Sequence, residues 1–402
     1  MPSPRLQPLV AAGATGMKPA RGLRRDIQGL RALAVILVIG NHAHVPGFAG
    51  GYIGVDLFFV VSGYVITQLL LREVPKGVGR GLTDFYSRRV RRIVPAATAT
   101  LVVTLLVAKI AQGPNLDTNL AGDVRWASLF AGNFRLIATG SNYFVAGISP
   151  SLITQFWSLA VEEQFYLLFP LVVFLIGHFV VPDRRIRVLS ITLTAGIFLS
   201  AWWSMHISAS EPTVAYYSPF TRFWELGLGC LLATRMTGRL IRTPRAERLV
   251  VVLAAGLLLI SLVELNSRSV YPGRAAWLPC SCAALLIWAG ARGIRNPLTR
   301  LLSSKPLGYV GDRSYSLYLT HYLWLKLPAQ LAPPLTGAGW RVPELVATVI
   351  TALGCYHFLE NPIRRSRRLA ADQVATALLL LVCVAASWTT AALIDHLSRH
   401  VG

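Results

Sequence analysis

The chain has 402 residues, of which 54% are hydrophobic and only 14% are charged, and its mean hydropathy is +0.53. A soluble protein of this length needs more polar surface, so the composition excludes a water-soluble enzyme and an intrinsically disordered chain. The formal net charge of +21 would point to nucleic acid in a soluble protein, but here the basic residues lie mostly between apolar runs.

These apolar runs predict eleven membrane-spanning helices, because each is close to the roughly 20 residues that cross a bilayer as a helix. In chain order the predicted spans are 29–45, 51–71, 93–111, 153–180, 188–207, 219–235, 248–264, 275–291, 307–328, 342–359 and 373–395. The sequence therefore predicts an all-α polytopic membrane protein with a ten-helix core and an eleventh transmembrane helix. We expect a disordered cytoplasmic tail at 1–22, the core at 23–370, and the extra helix with a short tail at 371–402.

The distribution of basic residues predicts the orientation of these helices. If the amino terminus is cytoplasmic, the loops on that side hold 29 of the 39 Lys and Arg residues, and the opposite loops hold 6. This asymmetry satisfies the positive-inside rule and predicts a multi-pass membrane protein with a cytoplasmic amino terminus. A crossing at 124–140 would invert every later loop, so we expect a re-entrant or interfacial helix there, on the outer side.

Ionisable side chains inside the predicted spans are candidates for function, because charge at membrane depth is expensive. A helical rise of about 1.5 Å per residue places His42, Glu162 and His321 at similar depths. Arg31 lies about three turns below His42 on the same helix face. An imidazole level with a carboxylate is typical of a general base and its orienting partner, whereas a lone buried histidine that hydrogen-bonds across helices is the alternative.

Four arginines, Arg88, Arg89, Arg91 and Arg92, precede the third predicted span. Guanidinium groups bind phosphate in a bidentate manner, so this cluster is a candidate site for a phosphorylated ligand. An ordinary positive-inside cap is the alternative interpretation. The five cysteines show no C-x-x-C spacing, and we find no Gly-rich nucleotide loop and no metal-ligand spacing. The sequence therefore predicts no metal centre and no redox motif.

Six motifs in order resemble the integral-membrane acyltransferase family 3, in its branch of bacterial surface-polysaccharide O-acetylases. They lie at 26–42, 51–64, 86–95, 157–166, 314–321 and 358–364. The resemblance implies transfer of an acyl group, usually acetyl, from cytoplasmic acyl-CoA to a sugar hydroxyl. The implied acceptor is a cell-envelope glycan, a glycolipid, or a glycosylated natural product such as a macrolide.

The resemblance also implies roles for individual residues. His42 would be the essential base, Arg31 would act on the donor side, and Glu162 would be the catalytic carboxylate in preference to Glu163. The four clustered arginines would bind the phosphates of acyl-CoA. Further candidates for substrate contact are Asp56, Tyr166, His321 and Glu163.

The expected partners are acyl-CoA, above all acetyl-CoA, a carbohydrate acceptor and the lipid bilayer, with no nucleic acid and no metal. Longer relatives carry a soluble extracellular esterase-like domain after the eleventh helix, and we expect none in this sequence. A separate extracellular acyltransferase is therefore a further candidate partner. The sequence leaves open direct transfer against an acyl-histidine relay. It also leaves open, as the alternative function, a transporter of acyl groups or lipid-linked glycans without chemistry of its own.

Overall fold

The computed structural model describes residues 24–117, 119–141, 143, 151–235, 244–292, 297–331 and 341–399. Within these ranges the regular structure is helical and there is no β-strand, as predicted. The predicted tail at 1–22 lies outside the described residues.

A helix overlaps each of the eleven predicted spans, and shorter helices join them. In chain order the helices are α1 (Arg25–His42), α2 (Gly54–Glu73), α3 (Val78–Gln112), α4 (Leu120–Ser128), α5 (Gly132–Ala138), α6 (Phe156–Phe179), α7 (Pro182–Ile207), α8 (Pro212–Tyr217), α9 (Pro219–Arg235), α10 (Pro244–Glu264), α11 (Trp277–Ala291), α12 (Pro297–Leu302), α13 (Lys305–Asp312), α14 (Ser314–Leu331), α15 (Arg341–Cys355), α16 (Asn361–Arg365), α17 (Arg367–Ala371) and α18 (Gln373–Arg399). By length and composition, six helical segments of the described chain can cross a membrane: 51–76, 78–115, 156–179, 182–207, 341–371 and 373–398.

Short connections make successive long helices run in alternating directions. The start of α1 meets the end of α11, where the Arg24 guanidinium donates to the Ile287 carbonyl at 2.9 Å. We call the end of the bundle where α1 begins the basic end, and the opposite end the far end. Arginines between the long helices gather at the basic end, among them Arg24, Arg72, Arg80, Arg184 and Arg185.

Helices α2 and α9 pack with their backbones in close approach. A Cβ atom on Gly63 would lie 1.9 Å from the Leu226 carbonyl oxygen, and one on Gly229 would lie 1.9 Å from the Val60 carbonyl oxygen. Only glycine therefore fits at these two positions, and small residues are what allow membrane helices to approach so closely. The contact fixes the depth of α2 relative to α9.

The segment predicted as one interfacial helix at 124–140 forms two short helices instead. Helices α4 and α5 have 9 and 7 residues, so neither is long enough to cross a bilayer. They separate at Phe130, whose φ of 52° lies in the left-handed region and cannot continue a helix. The charges that interrupt the segment are paired, since Arg135 Nε lies 3.2 Å from Asp123 Oδ1 and Arg125 binds Asp395.

The last long helix, α18, lies along α3 and α4 rather than standing apart from the core. Lys109 Nζ of α3 donates to Ser398 Oγ at 3.0 Å, and Trp388 Nε1 donates to Ser128 Oγ at 3.1 Å. Residues 371–399 therefore extend the helical bundle that precedes them.

Helix α15 ends in a π-helical turn, Tyr356–Glu360, before α16 begins. Such turns carry an extra residue and often occur at functional sites. Here the turn buries Glu360, whose Oε2 accepts a hydrogen bond from Ser316 Oγ at 2.6 Å. The turn thus brings a carboxylate from α15 against α14.

Candidate active site

His42, the last residue of α1, lies buried between two polar side chains. Its Nδ1 is 2.9 Å from His321 Nε2, and its Nε2 is 2.6 Å from Tyr143 Oη. The two imidazoles are stacked, with centroids 5.1 Å apart, and the ring of Tyr322 meets His42 edge-on at 5.0 Å. Three separate parts of the chain, α1, α14 and the segment after α5, therefore meet at this imidazole.

The hydrogen-bond partners assign the tautomers of both histidines. His321 Nδ1 lies 2.7 Å from the Tyr318 carbonyl oxygen, which can only accept, so this nitrogen carries the hydrogen. His321 Nε2 is then an acceptor, and His42 Nδ1 donates to it. Burial raises the pKa of Tyr143 well above its ordinary value, so its hydroxyl stays protonated and donates to His42 Nε2. The lone pair of His42 Nε2 is therefore available as a base.

Hydrogen bonds between α6 and α14 hold the histidine pair in place. The Tyr318 hydroxyl lies 2.6 Å from Ser158 Oγ and donates to the Gln155 carbonyl at 3.0 Å. In return, the Gln155 side-chain amide donates to the Leu319 carbonyl at 2.9 Å. Because these bonds fix the turn that carries His321, they also fix the orientation of the imidazole that it contacts.

Glu162 lies on the same face of α6 as Gln155 and Ser158, because residues four and seven positions apart share a helix face. Its Oε1 accepts hydrogen bonds from Ser62 Oγ and Tyr166 Oη, and within the described chain none of its hydrogen bonds goes to His42. The sequence pattern paired His42 with Glu162 on the basis of equal depth, but the structure places His321 in the orienting position. Glu162 lies seven residues beyond Gln155 on α6, about 10 Å nearer the basic end.

Three arginines gather toward the basic end, and we call Arg31, Arg89 and Arg92 the arginine cluster. Arg92 lies within electrostatic range of both Arg31 and Arg89. Arg89 Nη2 is 3.1 Å from Glu163 Oε1, and its guanidinium lies 3.8 Å from the centroid of the Tyr166 ring. The predicted residues Arg31, Arg89, Arg92, Glu162, Glu163 and Tyr166 thus share one region.

Two members of the arginine cluster have few direct hydrogen-bond partners. In the part of the chain that the structure describes, Arg31 has one side-chain hydrogen bond, to Gln28 Oε1 at 3.4 Å, and Arg92 has none. The buried carboxylate of Glu360 is near both, but it pairs with Arg364 at 3.7 Å. Glu162 and Asp312 also lie within electrostatic range of Arg31, but neither Arg31 nor Arg92 forms an ion pair in the described chain, so both guanidinium groups can bind an anion.

The other two adjacent arginines of the predicted phosphate site turn away from the cluster. Arg88 Nη2 lies 3.0 Å from Glu73 Oε1, and Arg91 Nη1 donates to the Leu369 carbonyl at 2.6 Å. Successive helix positions diverge by about 100°, so a run of four arginines cannot face one ligand. Arg88 and Arg91 link α3 to α2 and to α17 instead.

The predicted residue Asp56 lies in a separate buried cluster with Arg222, Glu225 and Cys280. Arg222 Nη2 is 3.0 Å from Asp56 Oδ1, and Arg222 Nε is 3.1 Å from Glu225 Oε1. The structure does not bring Asp56 into contact with His42.

An apolar groove of about 400 Å³ between α6, α7 and α9 lies apart from these sites. Phe165, Phe169, Trp202 and Phe223 are among the residues that line it, and none of its lining residues is titratable. The groove therefore offers no acid or base for catalysis.

The sequence analysis missed Tyr143, Tyr318 and Ser62, although each hydrogen-bonds a predicted residue. Tyr143 lies in the segment that follows α5, where helical periodicity cannot predict which side chains a residue contacts. Tyr318 contributes a backbone carbonyl, which is invisible in side-chain chemistry. Its spacing of three residues before His321 was the available signal, because residues at this spacing share a helix face.

Comparison with known proteins gives a consistent match. The sequence family described as an acyltransferase domain matches residues 24–360. Peptidoglycan O-acetyltransferase OatA of Listeria monocytogenes is 31% identical, over 85% of this chain and 56% of the relative. The putative peptidoglycan O-acetyltransferase YrhL of Bacillus subtilis is 32% identical (84% and 54%), and O-acetyltransferase OatA of Staphylococcus aureus is 33% identical (84% and 57%). The chain spans a little over half the length of these relatives. No solved structure matches it.

Proposed function

Because the chain belongs to the integral-membrane acyltransferase family 3, we propose that it transfers an acetyl group to a sugar hydroxyl of a cell-envelope glycan. The names of three relatives, which describe O-acetyl transfer and in two cases peptidoglycan, support this acceptor class. Transfer by the chain alone needs a base for the hydroxyl and a site for the donor. The two regions around His42 and the arginine cluster supply candidates for both.

The observation that carries the proposal is the hydrogen-bond chain from the Tyr318 carbonyl through His321 to His42. It leaves His42 Nε2 as a neutral base that already accepts a hydrogen bond from the hydroxyl of Tyr143. A sugar hydroxyl in the place of Tyr143 Oη would lie within the reach expected for general-base catalysis. His42 would remove the proton as the oxygen attacks the acyl carbonyl, and His321 would stabilise the resulting imidazolium in a fixed orientation. The bond between the acyl carbon and the donor sulfur would then break, and the departing thiolate would take the proton from His42.

We further propose that acyl-CoA is the donor and binds at the arginine cluster. Its phosphates suit Arg31 and Arg92, which form no ion pair in the described chain, while its thin pantetheine arm can extend toward His42. Arg31 and His42 are eleven residues apart on α1, a distance of about 16 Å along the helix. An extended pantetheine arm can therefore span the distance between phosphates at Arg31 and an acyl group at His42.

The positive-inside rule supports an orientation for this reaction. With the basic end in the cytoplasm of a bacterium, the donor would arrive from the cytoplasmic side and the glycan from the far end. His42, at the far end of α1, would then stand between the two substrates.

The test is acetyl transfer by the purified chain in liposomes, with labelled acetyl-CoA and soluble glycan fragments. His42→Ala should abolish transfer while the protein still inserts, because a small neutral side chain is tolerated in the bilayer. His178→Ala, at an exposed histidine at the end of α6, is the matched control and should keep wild-type activity. Activity of His42→Ala above about a tenth of the wild-type rate would contradict the assignment of His42 as the base.

A further inference from the structure

Three charged side chains in the membrane bundle are completely shielded from solvent. Asp56 of α2 and Arg222 and Glu225 of α9 are each 0% exposed. Arg222 donates a hydrogen bond to Asp56 at 3.0 Å and forms an ion pair with Glu225 at 3.1 Å, so one guanidinium faces two carboxyl groups. The backbone contact between α2 and α9 holds these groups together.

The charges of this cluster do not balance when every group is ionised. Two carboxylates and one guanidinium leave a net charge of −1 in a site without water access. An uncompensated buried charge carries a penalty of several kcal/mol, so native proteins neutralise it. A positive species must therefore be held there in addition to Arg222.

The contact between the two carboxyl groups identifies that species. Glu225 lies within hydrogen-bonding range of Asp56. Ionised carboxylates only accept hydrogen bonds, so two of them can bond each other only when one is protonated. Within the described residues, Glu225 Oε2 has no other hydrogen-bond partner, while the Tyr271 hydroxyl also lies within hydrogen-bonding range of Asp56. One hydrogen between the two carboxyl groups would satisfy the orphaned oxygen of Glu225.

We propose that Asp56 and Glu225 share one bound proton, which makes the cluster a neutral proton-binding site inside the membrane bundle. A metal ion is the competing ligand, because oxygen atoms of both carboxyl groups and Cys280 Sγ lie within 4.8 Å of one another. The Arg222 guanidinium already bonds both carboxyl groups and repels a second cation at that distance. The geometry thus favours the proton.

This proton-binding site supports the wall of the candidate active site. The Arg222 guanidinium lies 5.7 Å from the centroid of the Tyr216 ring, and Tyr216 stacks on Tyr143 at 4.6 Å. Tyr143 is the residue that bonds His42. Loss of the proton would leave a net negative charge behind this aromatic wall.

The first measurement is the infrared spectrum of the purified chain near neutral pH, with Glu225→Gln and Glu264→Gln for comparison. The wild type should show the carbonyl stretching band of a protonated carboxylic acid. That band should be missing in Glu225→Gln, which resembles the protonated side chain. It should persist in Glu264→Gln, because Glu264 is an exposed residue at the end of α10. Absence of the band in the wild type would overturn the proposal without any variant.

The second measurement is thermal unfolding as the pH rises from 7 to 10. The native chain holds one proton that the unfolded chain releases near neutral pH, so wild-type stability should fall as the pH rises. The stability of Glu225→Gln should fall less than that of the wild type over the same pH range. Other titratable groups that face the cluster are Tyr52, Tyr216, Tyr271 and Cys280. They are common to both proteins, so the difference between the two curves isolates the shared proton.

Three further outcomes would overturn the proposal. The wild type and Glu225→Gln would have parallel unfolding curves, or the band of a protonated carboxyl group would persist in Asp56→Asn. Elemental analysis would find one metal ion per chain that Cys280→Ser loses. The last result would assign the same three ligands to a metal site instead.

Discussion

Two clusters of charge lie within this helical bundle, and they differ in how the charges are compensated. Around Arg222, two carboxyl groups surround one guanidinium and all three are sealed from solvent. In the arginine cluster, Arg31 and Arg92 form no ion pair within the described chain, and both are half-buried rather than sealed. On the proposed assignments, the sealed cluster balances its charge with a bound proton, whereas the arginine cluster binds an anionic ligand from outside.

This contrast shows which buried charges to interpret as functional. An ionisable residue inside a membrane protein is a functional candidate by default, and by that rule Asp56 and Arg31 are equal. Their partners distinguish them. Asp56 is bonded within the fold, so its substitution should affect folding first, while Arg31 is poorly bonded and its substitution should affect the donor first.

The strongest response to substitution should come from the sealed cluster. Arg222→Ala would leave its carboxyl partners without a cation and should lower the free energy of unfolding by about 3–5 kcal/mol. Denaturant titration of the detergent-solubilised chain measures this loss. Arg274→Ala, at an exposed arginine in the loop before α11, should be within about 0.5 kcal/mol of the wild type. Equal stability of the two variants would remove the distinction between sealed and open clusters.

A smaller effect is expected at the arginine cluster, and on a different quantity. Arg92→Ala should weaken acetyl-CoA binding by about 5- to 150-fold, equivalent to about 1–3 kcal/mol for a lost charge-assisted contact. Stability should hardly change, because no hydrogen bond of the described chain is lost. Arg88→Ala is the neighbouring control. It breaks the ion pair with Glu73 and should leave donor affinity within about twofold of the wild type.

Donor titrations on these two arginine variants separate the hypotheses. Equal donor affinities for Arg88→Ala and Arg92→Ala would assign the whole run to the role of a positive-inside cap.

The weakest effects are expected at the adjacent glutamates. Glu162 has no salt bridge within the described chain, so Glu162→Gln removes a charge that faces Arg31 and should lower turnover about tenfold, the equivalent of about 1.5 kcal/mol. Glu163→Gln instead releases Arg89 from its partner and adds positive charge to the cluster. Its donor affinity should stay the same or improve. Turnover and KM for acetyl-CoA are measured separately for each variant. An equal loss of turnover in both variants would contradict this interpretation.

Most of the helical architecture was predictable from the sequence, because it depends on run length and composition. Apolar segments of sufficient length specify helices in a bilayer, and each predicted span overlaps one. The segment at 124–140 was kept out of the set of crossings because a crossing there would invert every later loop, and its two helices are indeed too short to span a bilayer. Its division into α4 and α5 was not predicted, since a single left-handed residue, Phe130, has no strong sequence signature.

The candidate site was predictable only in part. Helical rise gave similar depths for His42 and His321, and the structure brings them into contact. Partners across helices were not predictable, because pairing depends on which helices become neighbours. Asp56 and Arg222 are 166 residues apart in the chain, and only the packing of α2 on α9 brings them together.

The π-helical turn at Tyr356–Glu360 makes chain length at this point as important as residue type. Each added residue rotates the next part of a helix by about 100° around its axis. A single-residue deletion here would restore a regular helix and turn Glu360 away from Ser316, and Arg364 away from the arginine cluster. The positions of Glu360 and Arg364 therefore depend on the number of residues in this turn, which a deletion changes and a substitution does not.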